Sequence, residues 1–310
     1  MREQIGKVTL DDTWYPGEDY YSDGPVEEEL LQIAKSVSSE AEYNRIIAKK
    51  KSWPILYHFS HIRHNIVSWI PMGEKDRVLE IGAGCGAITG ALARKAGSVT
   101  CVELSKKRSL INAYRNRQYG NIEILVGAFE EVERHLLKDS YQFITLIGVF
   151  EYAACYTDHE KPFHYMLSLI REHLAPGGKV VLAIENRLGL KYFAGCAEDH
   201  VGRYFEGIEG YPNTTDVHTF SKLELTKLFD EVGGYEYRFY YPYPDYKFPY
   251  SIYSDHYLPR KGELKDNRCN YDQRRLGLFD EARVFDSLID NELFPEFSNS
   301  FLVLLERKSL

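Results

Sequence analysis

The chain has 310 residues, 44% hydrophobic and 27% charged, the proportions of a folded globular protein. Acidic residues outnumber basic ones 46 to 38, a formal net charge of −8, so no broad electrostatic hold on nucleic acid is expected. No apolar run reaches the length of a membrane span or forms a leader after Met1, and the five cysteines lack Cys-x-x-Cys spacing, so a reducing cytoplasm is the expected setting.

Residues 1–24 are aromatic and acidic without a period and read as a loop-like arm. Pro25 opens a predicted helix reaching about Lys50, with Leu30, Leu31, Ile33, Ala34 and Val37 at helical spacing. A second helix is expected from Ile55 to Ile70, stopped by Pro71. From Arg77 onward, predicted strands at 78–82, 98–103, 122–126, 142–147 and 179–185 alternate with helices at 87–95, 106–117, 129–137 and 162–174. Such alternation with short connections demands a parallel sheet covered by helices on both faces. A long polar segment, 186–219, then precedes a helix at 221–232, an alternating strand at 235–243 and a last strand at 301–305. The aromatic residues Tyr235, Tyr237, Phe239, Tyr241 and Tyr243 recur at period two and read as core. Beyond them, Tyr246, Tyr250, Tyr253 and Tyr257 either pack locally or form a stacking platform for a sugar.

The most informative stretch is 78–93. Its apolar run Val78-Leu79-Glu80-Ile81 ends in Gly82, Gly84 and Gly86, alternating with Ala83 and Cys85, and a helical pattern follows. A strand, a tight turn with bare backbone and a helix are the parts of a βαβ nucleotide site. The next strand ends at Glu103, seventeen residues beyond Gly86, where a carboxylate grips a ribose. Gly82, Gly84 and Ala87 fit a dinucleotide fingerprint loosely. An acidic residue, a spacer and G-x-G-x-G fit without a gap through Glu80, Gly82, Gly84 and Gly86, and in this the chain resembles class I S-adenosylmethionine-dependent methyltransferases. The resemblance implies S-adenosyl-L-methionine as cofactor, with the turn (Gly82, Ala83, Gly84, Gly86) beside its amino-acid end. It also implies Glu80 near the methionine moiety and Glu103 on the ribose.

Further cofactor contacts are expected from Leu104 and from Gly127, Ala128 and Phe129 after the third strand. Ala128 stands where many family members carry an acidic residue. Gly148 and, in the arm, Tyr21 complete the set, and Trp14, Tyr15, Tyr20 and Tyr21 either close over the cofactor or pack locally. The implied fold is an α/β, Rossmann-like, doubly wound seven-stranded sheet, mostly parallel with the last strand antiparallel. An N-terminal helical lid is expected over 1–74, and a methyltransferase domain over 75–310 with insertions at about 186–219 and 244–297.

A closer likeness is to methyltransferases encoded with, or fused to, bacterial glycosyltransferases of surface-polysaccharide assembly. It is carried by Tyr21-Ser22-Asp23-Gly24, by Ile144 to Tyr152, by Ile184 to Tyr192, by Glu198-Asp199-His200 and by Tyr241 to Lys247. It implies O-methylation of a sugar or glycan intermediate, a small-molecule or glycan acceptor and a glycosyltransferase as possible partner. The alternatives are a non-catalytic cofactor-binding domain and a nicotinamide-dependent oxidoreductase, the latter weakened by Gly86 and by the missing second βαβαβ half.

Methyl transfer from a sulfonium needs in-line alignment, and an alcohol acceptor also benefits from a base. Candidates are Glu151 and Tyr152 at the end of the fourth strand, Glu185 at the end of the fifth, and His200, whose ordinary pKa suits a base near neutrality. For Glu151 the competing reading is a first-turn helix residue; for His200 it is a solvated loop histidine. Arg187 and Lys191 are read either as ligands for an acidic sugar or phosphate or as solvated helix residues. His58, His61 and His64 lack companion ligands, and no metal site is expected.

Overall fold

The computed structural model describes residues 1–19, 22–37, 39–157, 159–267 and 275–308. Two compact units divide the chain: residues 1–146 with 172–179, and residues 147–171 with 180–310.

The first unit opens with strands β1 (Arg2–Ile5) and β2 (Val8–Trp14), then helices α1 (Val26–Ser36), α2 (Glu40–Lys50), α3 (Trp53–Phe59) and α4 (Asn65–Ser68). There follow β3 (Arg77–Ile81), α5 (Thr89–Ala93), β4 (Ser98–Glu103), α6 (Lys106–Arg115), β5 (Ile122–Gly127), α7 (Phe129–Val132) and β6 (Tyr141–Ile147). Helix α8 (Pro162–His173) leads to β7 (Leu174–Glu185), whose chain runs on into the second unit. The second unit adds α9 (Leu190–Phe193), α10 (Lys222–Val232), β8 (Tyr235–Tyr243), β9 (Ser251–Ser254), α11 (Glu281–Asp290), α12 (Phe294–Phe297) and β10 (Ser300–Arg307).

Strand order in the first unit is β1-β2-β5-β4-β3-β6. β2 lies parallel to β5, β5 to β4, β4 to β3 and β3 to β6, while β1 and β2 are antiparallel. In the second unit the order is β7-β10-β8-β9, with β8 antiparallel to both of its neighbours. The described residues thus hold ten strands where seven were expected, in an α/β, mostly parallel Rossmann-like arrangement. The strands of the first unit that bury both faces read as apolar runs: Val78 and Leu79 in β3 and Ile124 and Val126 in β5 are inaccessible to solvent.

The N-terminal arm departs most from expectation. Residues 2–14 form a hairpin, and β2 extends the parallel sheet by pairing Thr9 with Glu123 and Trp14 with Gly127. Val8 and Leu10 alternate inward, both fully buried. Asp11-Asp12 breaks that alternation in the sequence, and a partner more than a hundred residues away leaves no local signal. The predicted 25–50 helix is two helices, because Val37 is extended (φ −90°, ψ 141°) and Ser39 caps α2 through the backbone N–H of Glu42. The predicted 55–70 helix is broken likewise at Ser60, whose hydroxyl accepts from the Ile62 N–H. These helices share a core with α6 and with the glycine turn: Leu30, Ala34, Ile55, Phe59, Cys85 and Ile111 form one cluster.

Buried charge ties the arm to that core. Arg108 on α6 reaches Glu27 and Asp23 at 2.8 Å each, and Asp23 also meets the His58 ring at 3.1 Å. A hydrogen bond from His58, together with Arg108 beside it, holds the Asp23 carboxyl below its usual range despite burial. Removing one member of such a set leaves an uncompensated charge. The R108A variant is therefore expected to lose about 3–5 kcal/mol of unfolding free energy in urea titrations; a loss below about 1 kcal/mol would show the network to be incidental.

Candidate functional site

In the first unit, Gly82, Gly84 and Gly86 all have positive φ, at 67°, 52° and 74°, a backbone that side chains resist. Gly82 and Ala83 donate backbone N–H groups to the Val102 carbonyl at 2.9 and 3.3 Å. Gly84 donates its N–H to Glu103 at 2.7 Å, and the other carboxylate oxygen accepts from Ser105 N–H at 2.9 Å. Glu103 is therefore placed by two backbone donors, one on each oxygen, and each oxygen keeps acceptor capacity for a ligand. Burial raises its pKa against the pull of those donors.

The glycines serve different purposes. A Cβ on Gly84 would meet nothing within 4 Å, whereas one on Gly86 would sit 2.3 Å from Asn112 Oδ1. Gly84 leaves open space beside the turn; Gly86 lets α6 pack against it. Gly127 is likewise a packing position, since a Cβ there would come within 2.8 Å of the Trp14 carbonyl oxygen. Leu104, Ala128 and Phe129 are half-buried beside these strand ends. Trp14 is part of β2 and rests 5.2 Å from the His135 ring; Tyr20 and Tyr21 lie outside the described residues.

Beneath the turn, Glu80 accepts from the Thr89 hydroxyl at 2.7 Å and from the Cys101 thiol at 3.4 Å. The chain continues through Asn112 to Asn116. Burial without a cation partner lifts the Glu80 pKa to about 7. Folded protein therefore holds a proton that unfolded protein releases between pH 4.5 and about 7, so stability is full below that window and falls as pH rises through it. E80Q, which keeps an acceptor for Thr89, is expected to match the parent at pH 4.5 and exceed it at pH 8 by about 3 kcal/mol in unfolding free energy. Identical pH profiles for the two proteins would refute that placement of the proton.

In the second unit, Glu151, Glu185 and His200 come together. Glu151 opens the 3-10 turn Phe150–Cys155 after β6, Glu185 ends β7 and His200 follows α9. His200 Nε2 lies 3.3 Å from Glu185 Oε2 and 4.0 Å from Glu151 Oε1, and its Nδ1 meets the Tyr152 hydroxyl at 2.9 Å. The polypeptide aims the ring: Glu198 accepts the His200 and Val201 N–H groups at 2.8 Å each, and Tyr211 donates to Glu198 at 3.1 Å. Lys247 Nζ bridges Glu185 at 2.7 Å and Asp199 at 2.6 Å, and Lys191 meets Asp199 at 2.8 Å.

Burial pushes Glu151 up to about 8. Burial alone would lower His200, but Glu185 and Glu151 outweigh it and raise the imidazole to about 9. Lys247 and His200 overcome burial to hold Glu185 well below its usual range. At neutral pH the group thus carries a protonated imidazole against one ionised and one neutral carboxyl, so His200 is not the freely titrating base its residue type suggested. It is not a solvated loop residue either, its side chain being 8% exposed.

Lys191 and Arg187 are corrected as ligand candidates. Lys191 is buried on Asp199 rather than lining a solvated face, and Arg187 is held bidentately by Glu224 at 2.7 Å on both nitrogens. The stacking platform is corrected too, for Tyr246 and Tyr253 are buried while Tyr250 and Tyr257 are exposed. Gly148 abuts Tyr246, whose hydroxyl lies 2.6 Å from where a Cβ would stand. His58, His61 and His64 turn to separate partners: Asp23, Asn44 and Arg94. Lys247 and Asp199 were the members missed as site residues, although both lie in stretches that carry the sequence likeness, Tyr241 to Lys247 and Glu198-Asp199-His200.

Residues 79–180 match the family described as "Methyltransferase domain". The matched segment takes in the glycine turn, Glu103 and the whole of β5 and β6. Its sequence is similar to a probable ribosomal RNA small subunit methyltransferase A of Methanosarcina barkeri, 43% identical over 68 residues, covering 22% of this chain and 24% of that protein. It is also similar to an rRNA adenine N-6-methyltransferase of Bacillus licheniformis, 33% identical over 93 residues, covering 28% of this chain and 32% of that one. The chain thus spans between about a quarter and a third of the length of these curated relatives.

Among solved structures, a SAM dependent methyltransferase from Archaeoglobus fulgidus superposes with TM-score 0.50 at 14% identity, covering 83% of this chain and all (100%) of that one. Phosphoethanolamine N-methyltransferase 1 of Haemonchus contortus does so with TM-score 0.50 at 14% identity, over 94% of this chain and 52% of that one. Both support the fold. The names of these relatives, ribosomal RNA methyltransferases, contradict the expectation of no broad hold on nucleic acid: net charge summed over a chain says nothing about a local surface.

The domain's cofactor chemistry yields a direct prediction. E103A is expected to weaken S-adenosylhomocysteine binding about tenfold or more by calorimetry, with the fold retained by circular dichroism. Unchanged affinity would remove Glu103 from the site.

Proposed function

We propose that the protein transfers the methyl group of S-adenosylmethionine to an acceptor oxygen, and that Glu151, Glu185 and His200 handle the acceptor's proton. The observation that carries this reading is a buried acid–base group with no structural need for its composition. Glu151 is 1% exposed and its Oε2 makes no hydrogen bond, an arrangement that costs stability and is kept where chemistry uses it. An alcohol is a weak nucleophile, so the array serves O-methylation once His200 has released the proton it holds up to about pH 9 and can take the alcohol's proton instead. Tyr152 and Glu185 orient the ring from its two nitrogens. The sequence likeness around Ile184 to Tyr192 and Tyr241 to Lys247 favours a saccharide hydroxyl as the acceptor.

A second reading, methylation of an RNA base, is favoured by one observation: the curated relatives are ribosomal RNA methyltransferases by name. Their aligned segments of 68 and 93 residues match less than a third of this chain, so they bear more on the cofactor-binding part than on the acceptor.

Incubation with methyl-labelled S-adenosylmethionine and two acceptor pools, total RNA and lipid- or nucleotide-linked saccharides, separates the readings. Label in the saccharide pool is expected, with kcat lowered about 10²–10⁴-fold in H200A and E151Q while S-adenosylhomocysteine affinity is unchanged. Label confined to RNA supports the second reading, and incorporation into neither pool sinks both.

A further inference from the structure

We propose that Glu151, Glu185 and His200 form a binding site for one divalent first-row metal ion of the manganese–zinc range. The inference deepens the reading of the same three side chains and is tested on metal binding alone. One ligand atom from each residue lies within 4.8 Å of the others. Two of those separations, 3.3 and 4.0 Å about His200 Nε2, need only a small inward movement to reach the roughly 3 Å between neighbouring ligands on a metal bound at about 2.1 Å.

Three further features point to an ion. Glu151 Oε2 is buried and makes no hydrogen bond, so a donor oxygen is already desolvated in the group. The His200 ring has the support that metal-bound imidazoles require: once an ion displaces its Nε2 proton, Nδ1–H can donate to the Tyr152 hydroxyl at 2.9 Å and the Nε2 lone pair faces the carboxylates. Lys247 occupies Oε1 of Glu185 and leaves Oε2 toward His200.

Imidazole nitrogen with two carboxylates suits manganese, iron or zinc better than magnesium or calcium, which prefer all-oxygen sets. An ion held there would act as a Lewis acid toward an acceptor oxygen.

The test uses the full chain after EDTA treatment and gel filtration, titrated with MnCl₂. Loss of the free Mn²⁺ electron paramagnetic resonance signal is expected to give one ion per chain with Kd below about 100 µM, displaced by ZnCl₂. Pulsed spectra of the wild-type complex are expected to show coupling to one imidazole nitrogen. E151Q and H200Q are expected to weaken binding about thirtyfold or more, and Y152F by about tenfold through the loosened ring. The inference is overturned by wild-type protein that takes up no Mn²⁺ at 1 mM (about tenfold above the expected Kd ceiling), by bound Mn²⁺ without nitrogen coupling, or by E151Q and H200Q binding as wild type does. Failure there leaves the methyl-transfer reading standing, because label incorporation is measured independently.

Discussion

The contact between the Gly84 N–H and the Glu103 carboxylate, 2.7 Å long, is the constraint on which the geometry of the first unit's glycine turn depends. It links the turn after β3 to the tip of β4, so the bare backbone and the carboxylate are fixed by one hydrogen bond. The turn exists because three glycines tolerate positive φ in succession. It keeps its place because Gly86 lets Asn112 approach and because Cys85 joins the helical core beneath it. Open space at Gly84 and packing at Gly86 are opposite uses of the same missing Cβ.

The second unit solves a different problem, the burial of many charges in one place. Lys247 and Lys191 hold Glu185 and Asp199 ionised, and that negative field keeps a proton on His200. Glu151, next to the pair but without a cation of its own, is driven toward its neutral form. Such a set is expensive as a scaffold, since apolar side chains of similar volume pack as well without the desolvation cost. Its persistence argues for chemistry carried out with protons or with a cation in their place.

The relatives and the site bear on different halves of the question. The family match covers residues 79–180, while the acid–base group draws also on Glu185, His200 and Lys247, further along the chain. Cofactor chemistry and acceptor chemistry are therefore supported by separate observations.

The parallel strands β3 to β6, the glycine turn, Glu80 and Glu103 were legible in the residues alone. They rest on short-range rules: apolar runs of strand length, helical periods between them, and a backbone conformation that only glycine adopts freely. Glu151, Glu185 and His200 were legible as candidates because polar residues at strand ends stand out against apolar runs. Pairing decided the rest. The β1–β2 hairpin joins the sheet by contacts across more than a hundred residues, Lys191 turns inward because Asp199 waits there, and Lys247 reaches Glu185 from sixty-two positions away. Local propensity carries no information about such partners. A charge's surroundings, and with them its protonation, exist only once the chain has folded.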